Sequence, residues 1–340
     1  MKKSWGILAF GVFFVAISGI CFAQVGPATM KAGTYTWVAG GMGGGWYTVA
    51  GGFARLVNQE EPRINIKVIP GGGVSNPIQL SQGEADIAWG VGYVDKAAYN
   101  GLGPIYDKAY KNIASIAGTL AVDYYHFLAA KDQGITTLDQ FVAKVKRGEK
   151  IRIAAPMTGT SEYVMTSFVL QYYGISYDKI KQNGGTVIQA IYGDMPSLFE
   201  DRHVDYAFTC VGLPAAIVTE MSIARSAILL ELSDEIINYC AKTYGTVELS
   251  SGLCKVPGGT YAGMPNDIQT LCHSTEILVS PKMPDDVVYV ITKILCENKD
   301  FLVQLGAGYK VFDPKKAGLT VQVPLHPGAL KYYKEVGYIK

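Results

Sequence analysis

The stretch GGMGGGWYTVAGG, residues 40–52, holds seven glycines in thirteen positions, directly after the strand-like run TYTWVA. Bare backbone of this kind, placed just before a helix, can do one sort of chemistry well. The first turn of a helix presents unpaired N–H groups and a partial positive charge, and glycine lets a ligand approach them without a Cβ in the way. The same arrangement recurs as GGGVSN (71–76), MTGTS (157–161) and TCVGLP (209–214). Ser75, Asn76, Thr158, Thr160, Ser161 and Thr209 add side-chain hydrogen bonds. One such loop alone reads as a turn with a helix cap. Four of them, expected at the carboxyl ends of strands, read as a site for a small anion.

Nucleotide binding fails on the residues its motifs need. Starting at Gly41, the dinucleotide pattern G-x-G-x-x-G finds Gly43 but then Trp46 in its third slot. No Gly-Lys-Ser/Thr tripeptide occurs. An exported serine hydrolase is the enzymatic alternative, but the nearest approach to a nucleophile elbow, GTSEY (159–163), ends in Tyr163 where glycine is required. SYDK (176–179) matches S-x-x-K without its companion motifs. No catalytic residue and no cofactor is expected. The histidines His126, His203, His273 and His326 are isolated, so no metal site is expected either. Asp285 and Asp286, after Pro284, suit the start of a helix, where acids stabilise the dipole.

Stepping from loops to elements, Val-, Ile- and Tyr-rich runs alternate with helical patterns, which predicts an α/β architecture with largely parallel sheets. The expected units are TYTWVAG followed by a helix over about 46–58; INIKVIP, a helix over 77–82 and ADIAWG; IRIAAP and a helix over 162–174; and VDYAFT followed by AAIVTEMS. LSQGEADIAW (80–89) echoes LFEDRHVDYAF (198–208), as two similarly wound lobes would. At 340 residues two lobes are expected: 33–120 together with 272–340, and 121–271. Two chain crossings between them would form a hinge, with a cleft alongside.

Charge and cysteine content bound the setting. The net charge is +1, without basic blocks, so nothing draws the chain to nucleic acid or anionic lipid. Lys2 and Lys3 precede the apolar run WGILAFGVFFVAISGI, and CFA follows, so residues 1–23 read as a signal peptide cut after Ala23. An uncleaved anchor is the alternative; the apolar run falls short of the ~18–20 residues needed to span a bilayer. Removing the two lysines takes the charge from +1 to −1. Export permits disulfides among Cys210, Cys240, Cys254, Cys272 and Cys296, and an odd number leaves at least one thiol unpaired.

The chain resembles the TAXI-type (TRAP-associated extracytoplasmic) solute-binding proteins. The resemblance is carried by GGGWYTVAGGFARLVN, GGGVSNPIQLSQGEADIAWG, KIRIAAPMTGTSEY, VPGGTYAGMPNDIQTLCHSTEILVSPKMPDDVVYVITKIL and VPLHPGALKYYKEVG, in consistent order over roughly 33–340. Val74 departs from the family's usual Gly-Ser-x-x-Asn order and leaves Ser75 and Asn76 adjacent. The resemblance implies a type II periplasmic binding protein, two α/β lobes closing on a small carboxylate such as 2-oxoglutarate, glutamate, glutamine or another dicarboxylate. It also implies delivery to a TRAP permease driven by an ion gradient. A binding protein for an ATP-driven transporter or a sensor is the alternative; a neighbouring gene for a fused membrane subunit, or for an ATPase, would separate them.

Carried over onto this sequence, the family's ligand-facing segments fall on Gly43, Gly44, Gly45 and Tyr47, on Ser75 and Asn76, on Thr158, Gly159, Thr160 and Ser161, and on Thr209 with Gly212. Trp46 could wall the cleft with Tyr47; Tyr93, Tyr124 and Tyr125 are further wall candidates. Arg152 is weighed separately, because the family usually has a small residue there. Ile151 and Ile153 share one strand face and Arg152 takes the other. A guanidinium could grip a carboxylate there, at roughly 1.5–3 kcal/mol. The plainer reading is a surface ion pair, for instance with Glu149. An ammonium-bearing solute would need an acidic partner, for which Glu162 and Asp194 are the candidates; neither is singled out by the four loops, which favours a dicarboxylate or oxo-acid over glutamate.

Overall fold

The computed structural model describes residues 25–340; the signal peptide assigned to residues 1–23 lies outside them. The chain begins with a parallel winding: β1 (Gly33–Val38), α1 (Gly45–Glu60), β2 (Ile64–Ile69), α2 (Ser75–Gln82), β3 (Ile87–Val91) and α3 (Gly92–Asn100). The long strand β4 (Ala114–Ala130) follows, then α4 (Leu138–Lys146). A second winding repeats the first: β5 (Arg152–Ala155), α5 (Ser161–Tyr172), α6 (Tyr177–Gln182), β6 (Thr186–Gln189), α7 (Met195–Glu200), β7 (Tyr206–Val211) and α8 (Ala216–Arg225). Next come β8 (Ala227–Leu229), α9 (Asp234–Tyr244), the small ribbon β9 (Lys255–Val256) and β10 (Ile268–Gln269), and strand β11 (Cys272–Val279). Helices α10 (Asp285–Glu297), α11 (Lys299–Leu305), α12 (Pro314–Ala317) and α13 (Pro327–Glu335) close the chain.

One curled sheet carries both windings, in the order β2-β1-β3-β11-β4-β7-β5-β6, with β8 also paired to β4. Each winding is parallel: β1 with β2 and β3, β5 with β6 and β7. The expectation of largely parallel pairing fails at the middle, where β11 and β4 run antiparallel to each other and to their neighbours. The reason is topological. Each of these strands carries the chain from one half to the other, so each meets its neighbours head to tail.

The sequence of β4, ASIAGTLAVDYYHFLAA, is apolar almost throughout, as a strand buried on both faces must be. Within it, Thr119 takes the left-handed region at φ 50. A β-branched residue is strained there, and the pairing of β11 with β4 shifts register close by, between Ser274 and Glu276. Helix α2 begins at Ser75, two residues before Pro77. Proline is still acceptable in this first turn, because its missing N–H would have had no partner inside the helix.

One apolar cluster runs through both halves, joining Val38, Leu80 and Val94 to Phe141, Ile153 and Phe208, and a further cluster lies on each side of it. Trp37, Phe53 and Trp89 pack with Val288, Ile291 and Tyr333 of the C-terminal helices. Met195, Phe199, Ala207, Val218 and Met221 form a cluster in the second winding. The five cysteines Cys210, Cys240, Cys254, Cys272 and Cys296 are buried free thiols; Cys254 Sγ and Cys272 Sγ lie 3.7 Å apart. No helix among the described residues is long and apolar enough to cross a membrane.

Candidate ligand-binding site

Both windings place their first βα loop and their next helix start at the sheet's carboxyl edge, and the two edges face each other. Glycine makes the meeting possible. Gly43 adopts φ +83, and a Cβ there would stand 3.0 Å from the Gly193 nitrogen. A Cβ at Gly72 would stand 2.9 Å from the Gly159 carbonyl oxygen. The Ser75 N–H donates to that same oxygen at 3.1 Å. The halves therefore touch backbone to backbone at two diagonal points, first loop against second loop each way.

Between these contacts lies a cavity of about 280 Å³, close to the small end of ligand pockets at ~300–1,000 Å³. Gly44, Gly45 and Trp46 bring in the start of α1; Thr160, Ser161 and Glu162 the start of α5; Ala215, Ala216 and Ile217 the start of α8. The crossover strands contribute Ala121, Asp123 and His273. Leu305 to Tyr309, from the last residue of α11 onward, lines another wall, and Tyr192, Leu213 and Pro214 also reach the cavity.

The helix starts differ in what already occupies them. Gly44 caps α1 with extended backbone and no side-chain hydrogen bond, so the first N–H groups of that helix have only a ligand or solvent to bind. Ala215 likewise gives α8 no side-chain cap. At α5, Thr160 Oγ1 accepts the Tyr163 N–H at 3.2 Å, and Glu162 is the second residue of the helix. That helix start carries a built-in acid.

Two acids meet the cavity. Asp123 Oδ2 accepts the Trp46 indole N–H at 2.8 Å, across the divide between halves. Burial lifts the Asp123 carboxyl to about 7, with the Glu162 charge adding to the effect and the indole bond opposing it. Burial also raises Glu162, whose Oε1 accepts from the Tyr192 hydroxyl at 2.8 Å and Oε2 from Ser161 Oγ at 3.1 Å. His273 supplies no compensating charge. Burial depresses its imidazole to about 3, while Nδ1 contacts the Tyr125 hydroxyl at 3.2 Å. The described lining contains no lysine or arginine.

Of the residues singled out in the sequence, Gly43, Gly44, Gly45, Thr160, Ser161 and Gly212 line this cavity, as does Trp46. Asn76 does not. Its amide is wholly engaged, donating to the Ala39 and Trp89 carbonyls and accepting the Gly72 N–H, so it holds the loops together from behind. Ser75 and Gly159 form the contact between halves described above, and the Ser75 hydroxyl bonds back to Gly72. Thr158 faces a separate surface depression beside Gln189. Thr209 is buried in β7, and Tyr47 packs against the first-half core.

Arg152 departs furthest from its proposed ligand role. It opens β5, at the opposite end from the helix loops, and grips Asp205 through Nε and Nη2, both at 2.8 Å. The ion-pair reading holds in kind, with a different partner: Glu149 bonds to Lys144 and Arg147. Strand polarity is the reason, because the residue preceding the apolar run sits at the strand's start while ligand loops follow its end. Asp194, the second acid considered for an ammonium, is not among the lining residues, and Tyr93 and Tyr125 form a layer behind it, their hydroxyls 3.2 Å apart.

Asp123 and Tyr192 were not anticipated as site residues. Asp123 had a signal, a single acid inside the apolar run ASIAGTLAVDYYHFLAA. Tyr192, in a loop after β6, had none.

Two lobes of mixed α/β structure, joined by long crossover strands beside a ligand-sized cavity, define the periplasmic solute-binding protein fold. The chain belongs to the NMT1-like family, whose match spans residues 38–337. Among solved structures it is similar to MatC from Rhodopseudomonas palustris with bound malate, at 15% identity and TM-score 0.54, covering 90% of this chain and 98% of that one. It also matches the periplasmic binding protein BugD at 14% identity and TM-score 0.49, over 90% and 98% of the two chains. A TctC solute-binding protein from Polaromonas matches at 13% identity and TM-score 0.47, over 92% and 100%.

Proposed function

We propose that this protein is an extracytoplasmic receptor that captures a small carboxylate-bearing solute between its lobes and hands it to a membrane permease. Residues 33–120 with 272–340 act as one jaw and 121–271 as the other, turning about β4 and β11. The observation that carries the reading is the convergence of uncapped α1 and α8, from opposite jaws, on one cavity. Their free N–H groups and helix dipoles suit a carboxylate. Closure adds contacts from the second jaw, which favours the closed form in the presence of solute. Malate bound to MatC, on the same fold, is in keeping with a carboxylate guest.

The resemblance in the sequence supports a TRAP permease, driven by an ion gradient, as the receiving partner. Calorimetry of the purified protein against a panel of small carboxylates tests the receptor reading, with binding expected at micromolar affinity or tighter, about −8 kcal/mol. Binding of neutral sugars alone would overturn it. Uptake by vesicles holding the cognate membrane subunits, with a sodium gradient and no ATP, tests the partner; a requirement for ATP would assign it to the other transporter class.

A further inference from the structure

We propose that the solute is a neutral α-amino acid with an apolar side chain, its ammonium group held by Asp123 and Glu162 and its carboxylate by the starts of α1 and α8. The inference rests on the receptor reading above and assigns the chemical class of its guest.

Charge decides the class. Asp123 is buried and Glu162 half-buried in the wall of one small cavity, and no lysine or arginine is among its described lining residues. Two carboxyls so placed must either keep a proton or meet a cation, because an unpaired buried charge is very costly. His273 Nε2 lies 3.9 Å from Asp123 Oδ2, too far for a hydrogen bond, and burial holds the imidazole neutral, so it does not supply the cation. A dicarboxylate would bring two more negative charges into a space that offers them backbone amides, hydroxyls and a neutral imidazole, but no cationic side chain among the described lining residues. An ammonium reverses the balance.

The acceptor geometry fits such a group. Tyr192 and Ser161 engage one direction on each Glu162 oxygen, and a carboxylate oxygen accepts two bonds. On Asp123 the Trp46 indole engages Oδ2. Oδ1 lies on the Gly212 side, 3.4 Å from where a Cβ of that lining residue would stand. Acid also takes the place of an anion site at one helix start: Glu162 stands at the start of α5, whereas the starts of α1 and α8 are left for the guest's carboxylate. The remaining wall is apolar, with Val49, Leu213, Pro214, Ile217, Leu305 and Ala307. Amine, carboxylate and hydrocarbon each have a matching surface.

The experiment is calorimetry of the full protein with L-leucine, L-phenylalanine, L-glutamate, succinate, 2-oxoglutarate, and 4-methylpentanoate, which is leucine without its amine. The expected result is that an apolar amino acid binds at least about 100-fold more tightly than its deaminated analogue. Glu162→Gln should weaken that amino acid at least about 10-fold and leave 4-methylpentanoate unchanged or improved. Asp123→Asn should do the same, with circular dichroism melting to confirm folding; Glu162→Gln alone decides if it does not fold. Equal or tighter binding of succinate, 2-oxoglutarate or 4-methylpentanoate overturns the amine assignment while leaving the receptor intact. Preference for glutamate overturns the apolar assignment. Binding of none of these carboxylates counts against the receptor reading itself.

Discussion

The two windings are near copies in topology and opposites in chemistry. Each runs strand, loop, helix, strand, helix and strand against a crossover strand, so β1 answers to β5, β3 to β7 and α1 to α5. The second residue of each leading helix is where they part: Trp46 in α1, Glu162 in α5. At its leading helix one winding offers naked amides and an aromatic wall; the other places a carboxylate there and leaves amides bare only at α8. A duplicated scaffold thus presents bare helix starts from both halves and an acid from one to the same cavity. A guest bearing both signs gains from both, and only when the faces are brought together.

The largest way to break the comparison is to block the meeting. Gly72→Val places side-chain atoms against the Gly159 carbonyl, where even a Cβ would stand at 2.9 Å. Overpacking of this kind costs about 1–3 kcal/mol, so affinity should fall up to about 100-fold while the melting curve shows a folded protein. Unchanged affinity would mean that the lobes need not touch. Next comes the bond that ties the two faces. Trp46→Phe keeps an aromatic ring near Trp89, whose ring centroid lies 5.7 Å from that of Trp46, and removes the N–H given to Asp123. A hydrogen bond to a charged group contributes about 1.5–3 kcal/mol, so binding should weaken roughly 10-fold or more.

A pH series sharpens the same point. Asp123 titrates near 7 in the free protein, facing Glu162 and neutral His273. A cationic guest requires it ionised, so affinity should rise from pH 6 to 8, with proton release on binding near neutrality. Calorimetry in buffers of different ionisation enthalpy measures that release; proton uptake would contradict the charge assignment. Smallest is Arg152→Lys, far from both faces. It should leave affinity unchanged and cost under about 1 kcal/mol of stability, because the Arg152 side chain is 45% exposed and Asp205 keeps Arg225 at 2.8 Å. A large loss of binding would restore Arg152 to the site.

Much of this was legible along the chain. Glycine runs before helical patterns marked the loops, and β-branched runs such as INIKVIP and IRIAAP marked the strands, because φ/ψ preference and apolar periodicity are local properties. The echo between 80–89 and 198–208 did fall at equivalent places, ahead of β3 and β7. The roles of individual polar residues were not legible. Asn76 and Ser75 look alike as loop donors, yet one is spent on Ala39, Trp89 and Gly72 and the other meets Gly159 from the facing lobe. The antiparallel seam at β4 and β11 was also missed, since pairing direction depends on where the chain returns.

By itself, then, the order of residues determined the alternating α/β elements, the bare helix starts and the absence of nucleotide motifs, all of which are set by neighbours in sequence. Only the tertiary structure decided that Gly72 opposes Gly159, that Asp123 reaches Trp46 across 77 positions, and that Arg152 lies at the wrong end of its strand. Such pairings depend on how the sheet curls and the lobes close, and burial, which moves Asp123 to about 7, exists only once they have.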